Sequence, residues 1–315
     1  MQCLSYRTAN NRGLRPKGFG EKDVLSGGAE AGGAGFARNS GRPDAGRPGP
    51  CARLLLGLLV FLLSWPATQG FAARATGAAI PVPQGLDFAI SENSPPEKIL
   101  AAFLGTPYRF DGAVDEFGRY STFADPALVY PAPGLNCSGL VLASSRFLLK
   151  KNITLAQAKQ DRLGDSGPGS PHGEDWDFGW DLILNISEGF SRSLLLPGGK
   201  SQDPATATGF APRGYDIQQP STWRELPARL QPGYIYLVSL NVEGRRKGYG
   251  LQHYHVGLIH VDSAGKAWFY QTTGKGAVAN RRDLKSPEGQ ESFKKAFANS
   301  GNKRKMMLVL EVALP

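Results

Sequence analysis

The chain has 315 residues, 41% of them apolar, and a formal net charge of +9. That length supports a domain with a sizeable core, and three cysteines are too few for a disulfide-built scaffold. Residues 1–73 hold nine Lys/Arg against four Asp/Glu, so the remainder carries +4, a mild balance that gives no argument for nucleic acid.

Residues 1–52 are rich in Gly, Arg, Ala and Pro and lack apolar periodicity. They cannot bury enough surface to offset the entropy of ordering, and they read as a disordered leader that need not belong to the native chain. After Met1 the next methionine is Met306, so a start at a residue such as Val24 stays open. Residues 53–73 place an apolar run, Leu54–Trp65, after Arg47 and Arg53 and before small residues. About 12 apolar residues suit a signal-peptide core better than a membrane span. Cleavage is expected within Gly70–Ala73 and the mature chain in the periplasm or outside the cell. An uncleaved anchor is the alternative, and it would be the chain's sole contact with a membrane.

Residues 74–315 read as one domain. After an extended lead-in, Ser94, Pro95 and Pro96 open a helix with an Ile99/Phe103 stripe, and Gly105 and Pro107 end it. The stretch 137–151 is the next helix, with Cys137, Leu140, Val141, Ser144 and Leu148 on one face. Residues 152–230 contain a short helix, Thr154–Arg162, within otherwise loop-like sequence and read as an insertion. Its segment GEDWDFGWD (173–181) interleaves Trp176 and Trp180 with four acids. Those aromatics could anchor the loop to the domain or stack on a sugar. Strands follow at 233–240, 253–261, 267–273, 277–284 and 306–314, marked by β-branched and aromatic residues, with a helix at Pro287–Ala298. The basic tip GRRKGYG (244–250) reads as a solvated turn or a contact for anionic glycan. Helices first and an antiparallel sheet afterwards predict an α+β fold.

Three residues carry the chemistry. Cys137 stands at a predicted helix start behind Asn136, a natural cap, and helix N-termini stabilise thiolates. A small buried apolar residue is the plainer reading. In HYHVGLIH, strand alternation puts His253 and His255 on one face. A packed core histidine and a His-x-His metal pair are both possible there, though no third ligand stands at a suitable spacing. Gln271, on the next strand, could fix an imidazole's orientation, or be an ordinary strand glutamine.

The order GTPYRFDGA, NCSGL, HVGLI, YQTT resembles the NlpC-type papain-like cysteine peptidases of bacterial cell walls. The match covers residues 95–150 and 230–285. It departs from the family pattern at Asn136, where Asp is usual, and in the long stretch 152–230. The resemblance implies a papain-like domain, with N-terminal helices on an antiparallel sheet. It implies Cys137 as nucleophile, His255 as general base because it directly precedes Val-Gly, and Gln271 as orienter. Tyr108 would join the Cys137 N–H at the oxyanion. It further implies hydrolysis of amide bonds in peptidoglycan stem peptides, with no cofactor and no metal. A thiol amidase or acyltransferase acting on another envelope amide, and a non-catalytic envelope-binding domain on the same fold, are the alternatives.

Overall fold

The computed structural model describes residues 79–86, 89–162, 178–206, 213–243 and 251–315. The expected leader and signal segment, Trp176 and the 244–250 tip lie outside these residues. Among the described residues the first helix is α1 (Pro96–Ala102), whose proline at the first turn costs no hydrogen bond. A hairpin of β1 (Gly112–Val114) and β2 (Tyr120–Thr122) leads to α2 (Cys137–Leu148). Then come α3 (Leu155–Ala158), opened by a Thr154/Gln157 capping box, and α4 (Phe178–Ile186). Short strands β3 (Arg192–Leu195), β4 (Ser201–Gln202) and β5 (Tyr215–Asp216) precede α5 (Pro220–Arg229). The C-terminal part holds β6 (Tyr234–Glu243), β7 (Leu251–Val261), β8 (Ala267–Gln271), β9 (Asn280–Asp283), α6 (Pro287–Ala296) and β10 (Lys305–Ala313).

The main sheet is antiparallel and runs β4-β3-β10-β6-β7-β8-β9, with β5 also paired to β10. The fold is α+β, as expected. Two buried clusters divide its core. One lies between the sheet and α1, α2 and α4, and holds Cys137, Trp180, Leu237, Val256, Leu258 and Tyr270. The other lies beneath α5 and α6, and holds Trp223, Leu226, Val238, Leu240, Phe269 and Phe293. Helices therefore cover both sheet faces rather than one.

The reading of most of 152–230 as loop-like needs correction. All nine residues of α4 are buried, and β3 pairs with β10 through Val309↔Leu195 to Val312↔Arg192. The stretch fills both clusters and extends the sheet, so its described residues are part of the core. Sequence periodicity missed α4 because its polar stripe, Asp181 and Asn185, is buried against Arg162 rather than turned to solvent, so the segment lacks the usual contrast between a wet and a dry face.

Gly112, Gly134 and Gly139 allow the chain to converge on the start of α2. A Cβ on Gly139 would lie 2.1 Å from the Gly112 carbonyl oxygen, and one on Gly112 would lie 2.7 Å from the Gly134 oxygen. The far end of α2 is held by Arg146, which is buried and donates to the carbonyls of Ile153, Val114 and Asp115. Burial lowers its pKa to about 10, against the raising effect of Glu116 and Asp115. The helix ends at Leu148, three residues short of the expected end at 151; Leu149 is its C-cap and Lys150 turns into the left-handed region at φ 51°.

A candidate thiol–imidazole site at the start of the second helix

Cys137 is the first residue of α2. Asn136 caps the helix: its Oδ1 accepts from the Gly139 N–H at 2.7 Å, while its own N–H donates to the Gly112 oxygen. The loop before it is anchored on both sides. Leu135 N–H donates to Pro107, Arg109 N–H donates to Leu135, and Tyr108 N–H donates to Ala277 in the β8–β9 connection. The half-buried Tyr108 thus stands beside the chain that delivers the thiol. The thiol itself is 1% exposed, and the Ser138 hydroxyl lies 3.9 Å from its sulfur. Orphan N–H groups and the positive end of the helix dipole favour an anion at this position.

Alternation along β7 is interrupted. Leu258 pairs with Leu237, Val256 with Ser239 and His255 with Leu240, but Asn241 pairs with His253. Tyr254 is the extra residue of a β-bulge, which resets the facing of what precedes it. The two histidines that alternation placed on one face therefore take opposite faces. This corrects both the shared-face expectation and the His-x-His metal pair. No group of three or more metal-ligating side chains occurs among the described residues.

His253 turns to the face covered by α2 and α4. A Cβ on Gly179 of α4 would lie 3.0 Å from Val256 Cγ1 and 3.5 Å from His253 Cβ, so both side chains lie on the α4 side. The His253 ring stacks on Trp180 at 6.0 Å and 24°. Its Nδ1 is 2.9 Å from Ser239 Oγ, and both side chains are buried. His255 turns to the α6 face, its ring 5.1 Å from Phe297. Its Nε2 donates to Gln271 Oε1 at 2.9 Å, because an amide oxygen can only accept. Gln271 thus orients His255 as expected, but it does so across the sheet from Cys137. The expected pairing of Cys137 with His255 is not formed; of the two histidines flanking the bulge, His253 is the one on the thiol's side, a face that also carries the buried His260, whose Nε2 lies 3.5 Å from Glu97 Oε1.

Ser239 and Trp180 were not assigned to the site from sequence. A lone hydroxyl inside the apolar strand YIYLVSL was the available signal for Ser239. The acids and aromatics of 173–181 contribute Trp180 as a core anchor, 1% exposed, and Asp181, whose Oδ2 accepts from the Arg162 N–H.

Asp111 lies just before β1. Its backbone is left-handed at φ 56°, and its Oδ2 accepts from the Ala124 N–H. Burial raises its pKa to about 6, against the lowering effects of the Ala124 hydrogen bond and Lys159. A carboxyl that titrates near neutrality thus adjoins Gly112, whose carbonyl receives Asn136 and lies against Gly139.

No protein-family model, no curated protein and no solved structure matches this chain.

Proposed function

We propose that the chain is a cysteine hydrolase of amide bonds, with Cys137 as nucleophile and His253, not His255, as general base. The observation that carries this reading is the placement of a capped helix-start thiol and a fixed imidazole on the same face of the sheet. With Ser239 Oγ accepting from Nδ1–H, the tautomer leaves Nε2 as the basic nitrogen. Nε2 takes the thiol proton, the sulfur attacks the amide carbonyl, and His253 returns the proton to the departing amine. Water then releases the acyl group. The Cys137 N–H stands at the helix terminus where an oxyanion is stabilised, and Tyr108 lies beside the same loop.

A helix-borne cysteine packed on an antiparallel sheet whose strand carries the base is the papain-like arrangement. It supports the resemblance to NlpC-type peptidases, which names a peptidoglycan stem peptide as substrate and an exported location. The decisive experiment is incubation of the wild type and Cys137→Ala with purified peptidoglycan, followed by mass analysis of released fragments. New fragments from the wild type alone support the reading; identical digests overturn the substrate.

The deep burial of Cys137 favours one rival, a packed thiol in a non-catalytic envelope-binding domain. Alkylation by iodoacetamide separates the two. An activated thiol reacts readily below neutral pH, whereas a packed one reacts only on unfolding.

A further inference from the structure

Thr272 follows Gln271 at the end of β8. Its side chain is fully buried, yet among the described residues its Oγ1 has no hydrogen-bond partner. A buried hydroxyl left without a partner costs roughly 1–3 kcal/mol, and such a cost is commonly retained where a ligand supplies the missing bond. Thr272 lies one residue beyond β8, and its place follows from extending the register of the two flanking ladders. Leu258↔Tyr270 in β7–β8, continued by two residues, sets Thr272 opposite Val256. Gln271↔Asn280 in β8–β9, continued by one, sets it opposite Ala279.

Val256, Ala279 and Tyr270 all belong to the buried cluster that contains Cys137. Gln271, one residue away, turns to the opposite face with His255. Ala279 is in turn zipped to the segment that holds the start of α2. Gly105 N–H donates to Ala279, Ala279 N–H donates to Thr106, and Leu135 N–H donates to Pro107. Thr272 therefore turns its unpartnered hydroxyl to the face on which the thiol and His253 lie, beneath the helix whose N-terminus favours an anion.

We infer that Thr272 Oγ–H is a substrate-contacting donor of this site, which hydrogen-bonds the carbonyl oxygen of the acyl group as it becomes an oxyanion. The inference rests on the proposed thiol chemistry. When sulfur attacks, the S–C bond forms and the π pair of the carbonyl moves to oxygen. The charge on that oxygen is met by the Cys137 N–H and the Thr272 O–H. On collapse the pair returns, the C–N bond breaks, and the amine leaves with the proton from His253. The hydroxyl transfers no proton; its hydrogen bond strengthens as charge develops, which is how such a donor lowers a barrier.

The test uses p-nitrophenyl acetate, whose acyl group Cys137 can accept with release of p-nitrophenolate, so it does not depend on the natural substrate. Thr272→Val keeps the shape and removes the donor, while Thr272→Ser keeps the donor. Thr272→Val is expected to slow acylation by about 10²-fold, the usual loss for one oxyanion donor. Its melting temperature should not fall, and the pH profile of iodoacetamide alkylation should stay in place. Thr272→Ser should retain most of the rate. Wild-type acylation in Thr272→Val, or a loss accompanied by a lowered melting temperature or a displaced alkylation profile, overturns the inference. Failure of the wild type both to acylate and to alkylate while folded would instead remove the thiol chemistry itself, and with it this role for Thr272.

Discussion

The two faces of the sheet carry the same residue type from the same strand and put it to different use. On the α2/α4 face, His253 is stacked on Trp180, bonded to Ser239 and set on the side of a helix-start thiol. On the α6 face, His255 is bonded to Gln271 and lies against Phe297, which in turn packs on Phe293 and Phe269. Each ring is buried, hydrogen-bonded to a neighbouring side chain and set against an aromatic ring, so neither burial nor hydrogen bonding separates them. What separates them is the company on each face: a helix-start thiol on the side of His253 and the Phe269/Phe293/Phe297 cluster on the side of His255. A perturbed or buried histidine is a functional candidate only once its face is known.

The comparison breaks most sharply on activity. His253→Ala should lower turnover by about 10²–10⁴-fold and move the pH profile of Cys137 alkylation upward, because the imidazolium that stabilises the thiolate is lost. His255→Ala should leave turnover per folded molecule near wild type. Steady-state rates and alkylation profiles of both variants provide the check, and the reverse pattern would restore His255 as base.

A second expectation concerns the support of His253. Trp180→Ala empties a fully buried indole site and should cost about 3–5 kcal/mol in stability. Under conditions where it remains folded, it should also lose activity beyond that explained by the folded fraction. Chemical denaturation combined with rates at low temperature separates the two effects.

The α6 face should answer in stability alone. His255→Ala leaves a cavity and strips the buried Gln271 Oε1 of its donor, at about 1–3 kcal/mol for the unsatisfied group. Gln271→Leu should have a similar sign, and neither should displace the alkylation profile. Denaturant midpoints at constant slope measure this.

The smallest expected effect lies beside the hairpin. The folded-state pKa of Asp111 is raised above its unfolded value, so the folded state binds the extra proton between the two. Its contribution is favourable below about pH 4 and is lost as pH rises towards about 6. Asn tolerates the left-handed backbone, so Asp111→Asn should remove this dependence and stabilise the fold at pH 7 by about 1 kcal/mol, once discounted for partial solvent exposure. Unfolding midpoints across pH 4–7 give the slope directly; an unchanged slope in the variant would assign the dependence elsewhere.

The amino-acid sequence determined the local elements where chemistry repeats at short range. Asn136 marked the start of α2, since an amide there can accept from the first-turn N–H groups. Runs such as YIYLVSL and MMLVLEVAL marked strands, since β-branched and aromatic residues suit a pleated surface. Cys137, His253 and His255 were visible as candidates from their types and flanks, and the pairing of Gln271 with His255 was expected from the resemblance carried by HVGLI and YQTT. The tertiary structure decided which residues meet. The bulge at Tyr254 is set by how β7 pairs with β6, a long-range fit that no window of sequence contains, and it moved the histidine on the thiol's side by two residues. The same holds for α4 and β3. A helix buried on every side and a four-residue strand gain meaning only from distant partners: α4 from the sheet and α2 with which it shares a core cluster, and β3 from β10, the last strand described, which enters between β3 and β6.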